Sequence, residues 1–343
     1  MVTEDKPQTQ FLKYIRTVGM TTMRGRGFYY PVDSAMNNDG RIYTVSRSAE
    51  KTTGDTIRVT MLNEEGEYFG IFGSKGNENG QFMWPCGIAV DSNNRVYVTD
   101  EYLHQISIFN ESGEFLNKWG SRGTEEGLLD APSGIAHDLY DNVYISDSRN
   151  HRIQKFSKDG DFIHSFGSYG CEDGEFNLPW GLFVTNNSEV FVADWGNDRI
   201  QRFTSDGKFI AKYGPAETGK SEFTRPAGIT VDKNGYMYVA DWGNEMVKVL
   251  DTNGKCIQTL RGEATHSKWA EDFLKINLEE AQAREKANLE PAIQYFNEDP
   301  HEESSHIEKL FWGPVSVLLD SEERLFITET NRHRIQVYER TNW

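Results

Sequence analysis

The chain has 343 residues, 37% of them hydrophobic and 13% aromatic, with a formal net charge of −17. That much apolar material supports a sizeable core and excludes a wholly disordered chain, while the negative surface repels phosphate backbones and sets nucleic acid aside as a partner. No run approaches the roughly 18 apolar residues of a membrane span, the opening MVTEDKPQTQ lacks the build of a signal peptide, and three cysteines (Cys86, Cys171, Cys256) show no metal-type spacing, so a reduced, cytoplasmic protein without membrane contact is expected.

In chain order, the first strand-like run is YIRTVG (Tyr14–Gly19). Pro31 opens a degenerate unit, with GRIYTVS as its second run and GEYFGIFG as its fourth. The pattern then becomes strict. Pro85-Cys86-Gly87, Pro132-Ser133-Gly134, Pro179-Trp180-Gly181 and Pro226-Ala227-Gly228 recur at intervals of 47 residues. Each unit carries four short runs rich in Val, Ile, Tyr and Phe, parted by turns such as KDGDF and SDGKF in which Gly accepts positive φ. Pro314 opens the last unit, with RLFITE and RIQVY.

Runs of this kind are strands. Four antiparallel strands per unit, iterated, predict the blades of a β-propeller. The six starts predict an all-β, six-bladed ring occupying 1–343 as one domain. The last unit stops at Trp343, where its fourth strand is due. YIRTVG matches FIHSFG (Phe162–Gly167) and is predicted to supply that strand and close the ring.

Between blades five and six the period is interrupted by residues 263–311, rich in Glu, Ala, Lys and Leu. Trp269, Phe273, Leu274 and Leu278 fall at helical spacing and Pro291 marks a stop, so a mainly helical insertion is expected. A connection this long serves as a lid or a partner surface more often than as filler. Strand parity puts the insertion, the pre-proline residues and the loop Ser46–Ile57 on one face. The expectation is a helical lid over the central opening there, with a peripheral decoration or oligomer contact as the alternative.

Within that face, departures from the repeat mark candidate residues. Asp33 stands where the four regular blades have Gly, near the axis, as a general base, metal ligand or cation contact, or as the acceptor of a backbone hydrogen bond. Arg225 is the cation best suited to an anionic ligand, with Arg26 and Arg47 as helpers. Tyr30, Trp84, Trp180, Trp195, Trp242 and Trp312 offer aromatic surface to a ligand, or pack between blades. Asp147/Arg152, Asp194/Arg199 and Glu329/Arg334 read as ion-pair clasps for their loops. His104, His151 and His333 share one repeat position, which invites a metal site but holds them apart around the ring. His301 and His306 lie in an acidic stretch of the insertion, and His137 reads as a satisfied core group.

The phrases SRNHRIQKF at Ser148, TNRHRIQVY at Thr330 and GNDRIQRF at Gly196, with the lead-ins GQFMWP and GEFNLP, resemble the signature of NHL-repeat propellers. The resemblance spans the chain apart from roughly 263–311 and implies the six-bladed fold. For function it is open, since that family includes RNA-binding, protein-binding and enzymatic members. Its amidating lyases place zinc-binding histidines near the proline-led strand starts, where this chain has Cys86, Ser133, Trp180, Ala227 and Val315.

The functional expectation is a hydrolase- or lyase-type enzyme acting on a small molecule. Asp33 and Arg225 would be catalytic, and Tyr30, Arg47, Trp84, Trp180, Trp195, Trp242 and Trp312 would bind substrate. A divalent ion, calcium or zinc, at the axis is left open, with no sequence signal for one. A non-catalytic scaffold for a protein or glycan partner is the alternative.

Overall fold

A computed structural model describes residues 10–48, 54–214, 222–292 and 299–341. The centre of the Ser46–Ile57 loop and part of the insertion thus lie outside the described residues. Six four-stranded antiparallel sheets form the blades. Their innermost strands are Pro31–Met36, Pro85–Val90, Pro132–His137, Pro179–Val184, Pro226–Val231 and Pro314–Leu319, for blades one to six. Blade six is completed by Leu12–Val18, which pairs antiparallel with Arg334–Arg340, Leu12 opposite Arg340 and Val18 opposite Ile335. The ring is closed as the sequence predicts. No helix among the described residues is long and apolar enough to cross a membrane.

The second strand of every blade is buried along its whole length. It lies between neighbouring strands and neighbouring blades, which is why it reads as a near-continuous apolar run rather than an alternating one. The glycine of the Pro-x-Gly phrase has a steric cause. A Cβ on Gly87, Gly134 or Gly181 would meet the carbonyl oxygen of Ser133, Trp180 or Ala227 in the next blade at 2.3 Å. Close approach of inner strands around the axis therefore demands Gly at these positions.

A second repeated contact joins the blades at their outer edges. A Cβ on Gly113, Gly160, Gly207 or Gly254 would lie 2.4–2.5 Å from Phe72, Trp119, Phe166 or Tyr213, the aromatic that ends the preceding blade's fourth strand. Each glycine thus caps a neighbour's ring. Blade six ends its fourth strand on Val18, which has no ring to offer to Gly66 of blade one. Trp269, from the insertion, sits there instead. It is 1% exposed, packs against Phe28 and Tyr68, and donates its indole N–H to the Gly66 carbonyl at 2.6 Å.

The insertion contains helices α1 (Lys268–Ile276), α2 (Leu278–Lys286) and α3 (Pro300–His306). Ser267 caps α1 by accepting from the Ala270 N–H, and Asp299 caps α3 by accepting from the His301 N–H. The helical spacing that runs through Leu278 is broken at Asn277, whose non-helical backbone ends α1. Leu278 is consequently 66% exposed rather than packed.

Candidate functional site: the rim and axis of the loop-rich face

The loop-rich face is organised by an acid at the end of the second strand in five of the six blades. Asp147 accepts from Arg152 Nε (2.8 Å), Asn150 (2.8 Å), Gln154 (2.9 Å) and the Asp130 N–H (2.6 Å). Asp194 repeats the set with Arg199, Asn197, Gln201 and the Asn177 N–H. Glu329 does so with Arg334 and Gln336. Each arginine goes on to donate to carbonyls of the incoming connection, as Arg199 does to Glu172 and Glu175. The ion pairs are clasps, and their duplication is architecture. In blade one Ser46 replaces the acid, and buried Arg58 donates to the carbonyls of Thr22, Met23, Gly27 and Asp55.

The histidine series has the same kind of role. His104, His151 and His333 each accept through Nδ1 from the N–H of the residue preceding the next blade's proline: Ala131, Leu178 and Tyr30. Asp198 and Glu245 do this for Arg225 and Gly313. All five donors sit at positive φ. An accepting imidazole must be neutral, and burial indeed lowers the pKa of all three histidines, His333 to about 4. Among the described residues no three His, Cys, Asp or Glu side chains are grouped to hold a metal.

At the axis lies a cavity of about 60 Å³, lined among others by Asp33, Cys86, Ser133 and Trp180. Asp33 accepts from the Ile88 N–H of blade two (2.9 Å), from Ser316 Oγ of blade six (2.5 Å) and from its neighbour Ser34 (2.8 Å). The carboxylate therefore ties three blades together at the seam where the ring closes. Burial raises its pKa to about 6, against the pull of those three donors.

The other candidates do not line that cavity. They stand around it. Arg47 stacks over Trp84 at 5.1 Å and pairs with Glu101. Arg225, exposed, stacks over Trp195 at 4.8 Å, and Trp195 lies 6.5 Å from Trp242. His301 of α3 packs on Trp242 and pairs with the buried Glu245, whose pKa burial raises. Arg332 stacks over Trp312 at 5.2 Å, and Tyr30 meets His333 edge-on. Arg26 faces Asp272 of α1. The result is a rim of Arg–Trp pairs around a nearly filled axis.

None of the described residues of the insertion lines the axial cavity. Helices α1 and α2 run along the seam between blades six and one, because Trp269 is anchored there, and α3 rests on the loop Trp242–Asn244. The sequence carried one unread signal for this placement, the missing aromatic at Val18. His137 also departs from expectation. Its ring is T-shaped on Tyr97, yet neither nitrogen has a hydrogen-bond partner among the described residues, and burial lowers its pKa to about 4.

Fold and rim together define a β-propeller with six blades. Residues 82–109 match the family model described as NHL repeat. The six-bladed propeller thus carries an NHL repeat in its second blade. A comparison with curated proteins returned no match. Among solved structures it is similar to a streptogramin B lyase, at 14% identity over 96% of this chain and 98% of that one, TM-score 0.55. It is also similar to a catalytically inactive variant of virginiamycin B lyase from Staphylococcus aureus with quinupristin, at 12% identity over 96% and 100%, TM-score 0.58. A chain of a nidogen/laminin complex matches at 19% identity over 67% and 79%, TM-score 0.51. At these identities the likeness concerns the fold.

Proposed function

We propose that the protein is a binding propeller whose loop-rich face holds a protein partner. The observation that carries this reading is the pairing of Arg47 with Trp84, Arg225 with Trp195 and Arg332 with Trp312 around an axial cavity of only about 60 Å³. A metabolite needs several times that volume. Trp, Tyr and Arg are the side chains that dominate protein–protein hot spots, and Trp84 and Tyr102 are 39% and 66% exposed. The likeness to a chain of the nidogen/laminin complex is in keeping with it.

A photo-crosslinking amino acid at Tyr102, on the loop-rich face, should capture one discrete protein in cells. The same group at Tyr140, in a turn on the opposite face, should not. Combining the Tyr102 probe with Trp84→Ala and Arg225→Ala should abolish the capture. Equal capture from both faces would count against the reading. A second reading, a lyase- or hydrolase-type enzyme at the axis, draws on the fold likeness to the streptogramin lyases and on the Asp33 carboxyl near pKa 6.

A further inference from the structure

A large cleft lies away from the axis, between the insertion and the outer part of blade six. Its volume is about 720 Å³, within the range of sites that enclose metabolite-sized ligands. None of the rim tryptophans lines it. One wall is blade six, from the end of Leu12–Val18 and the loop reaching Arg334. The other is α1, α2 and the segment that leads into Trp312.

The donors of this cleft are unspent for a geometrical reason. His333 accepts the Tyr30 N–H through Nδ1, so its proton resides on Nε2. His266 accepts from Arg284 Nε through its own Nε2, so its proton resides on Nδ1. Neither N–H has a partner among the described residues. Arg284 uses Nε on His266 and Nη2 on Glu308, which leaves Nη1 without a partner among them. Arg332 also lines the cleft, and its Nε is buried without an acceptor. Against these cations the lining carries the carboxylates Glu280 and Glu308, and Glu308 is already paired. In a chain of net charge −17, a cleft rich in free N–H donors is an exception that calls for an anion.

The remaining lining is apolar. Phe273 and Leu289 are 42% and 41% exposed, and Leu274 and Ala283 stand beside them. Among the described residues, none fully covers Phe273 or Leu289. We propose that the cleft binds an amphipathic carboxylate, its head on Arg284, His266 and His333 and its apolar body along Phe273, Leu274 and Leu289. Arg332 and His333 border both cleft and rim, but Arg284, His266, Phe273 and Leu274 belong to the cleft alone, so a failure at Arg284 and Phe273 leaves the rim reading standing.

Calorimetric titration of the full chain with sodium decanoate tests it, with decan-1-ol as the uncharged match. Decanoate should bind once per chain, about tenfold or more tightly than the alcohol, the difference reporting the charge-assisted bonds. Arg284→Gln should weaken decanoate about tenfold and leave the alcohol unchanged. Phe273→Ser should weaken both. Both side chains are partly exposed, and an unchanged melting temperature would show that the variants fold. Equal binding of acid and alcohol, no binding of either, or decanoate affinity untouched by both substitutions would overturn the proposal.

Discussion

Asp33 accepts three hydrogen bonds and still holds its proton to about pH 6, because burial outweighs the donors. Its folded pKa lies above the ordinary 3.8, so its contribution to stability is full below about pH 3.8 and is lost as pH rises through about 6. Unfolding free energy should therefore fall by roughly 3 kcal/mol across that window. Asp33→Asn should flatten that part of the profile, as read from urea melts at a series of pH values. An Asn variant with the wild-type slope would assign the titration to another group. The sequence revealed that residue 33 breaks the glycine pattern. It could not reveal that Ser316 of blade six and Ile88 of blade two converge on the carboxylate, because those contacts exist only once the ring is closed.

Trp269 is the one buried side chain of helix α1. Trp269 fills the slot that Phe72, Trp119, Phe166 and Tyr213 fill at other junctions, and Gly66 caps it as Gly113, Gly160, Gly207 and Gly254 cap theirs. Trp269→Ala should cost about 3–5 kcal/mol, the range for deleting a large buried aromatic, lowering the urea midpoint with an unchanged slope. Trp269→Phe should recover part of the loss. Full stability in the alanine variant would mean that blades six and one close without this ring. The insertion was legible as helical from its composition and spacing, and Val18-Gly19 in place of aromatic-Gly marked an empty slot. Which distant residue fills it was not legible, since helical periodicity gives a face and not a destination.

At the scale of the molecule, the 47-residue spacing and the match of YIRTVG to FIHSFG made the six blades and their closure readable before any coordinates. Repeats expose themselves because each copy solves the same packing problem. The clefts did not expose themselves, since each draws on segments remote in sequence. Removing residues 1–19 deletes the strand that pairs with Arg334–Arg340 and bares that edge. The truncated chain should melt many degrees lower and associate through the bared edge, as followed by calorimetry and light scattering. A monomer with the parent melting curve would refute closure by this strand.

That pairing has a mechanical side. Leu12 faces Arg340, and the Thr341 N–H donates to the Phe11 carbonyl at 3.0 Å, so the chain enters and leaves the ring side by side at one corner. A force applied between residues 10 and 341 loads the rungs of this outer ladder one after another, from Leu12 towards Val18, and never all at once. The closing ladder thus parts like a zip fastener when the propeller is pulled by its two ends.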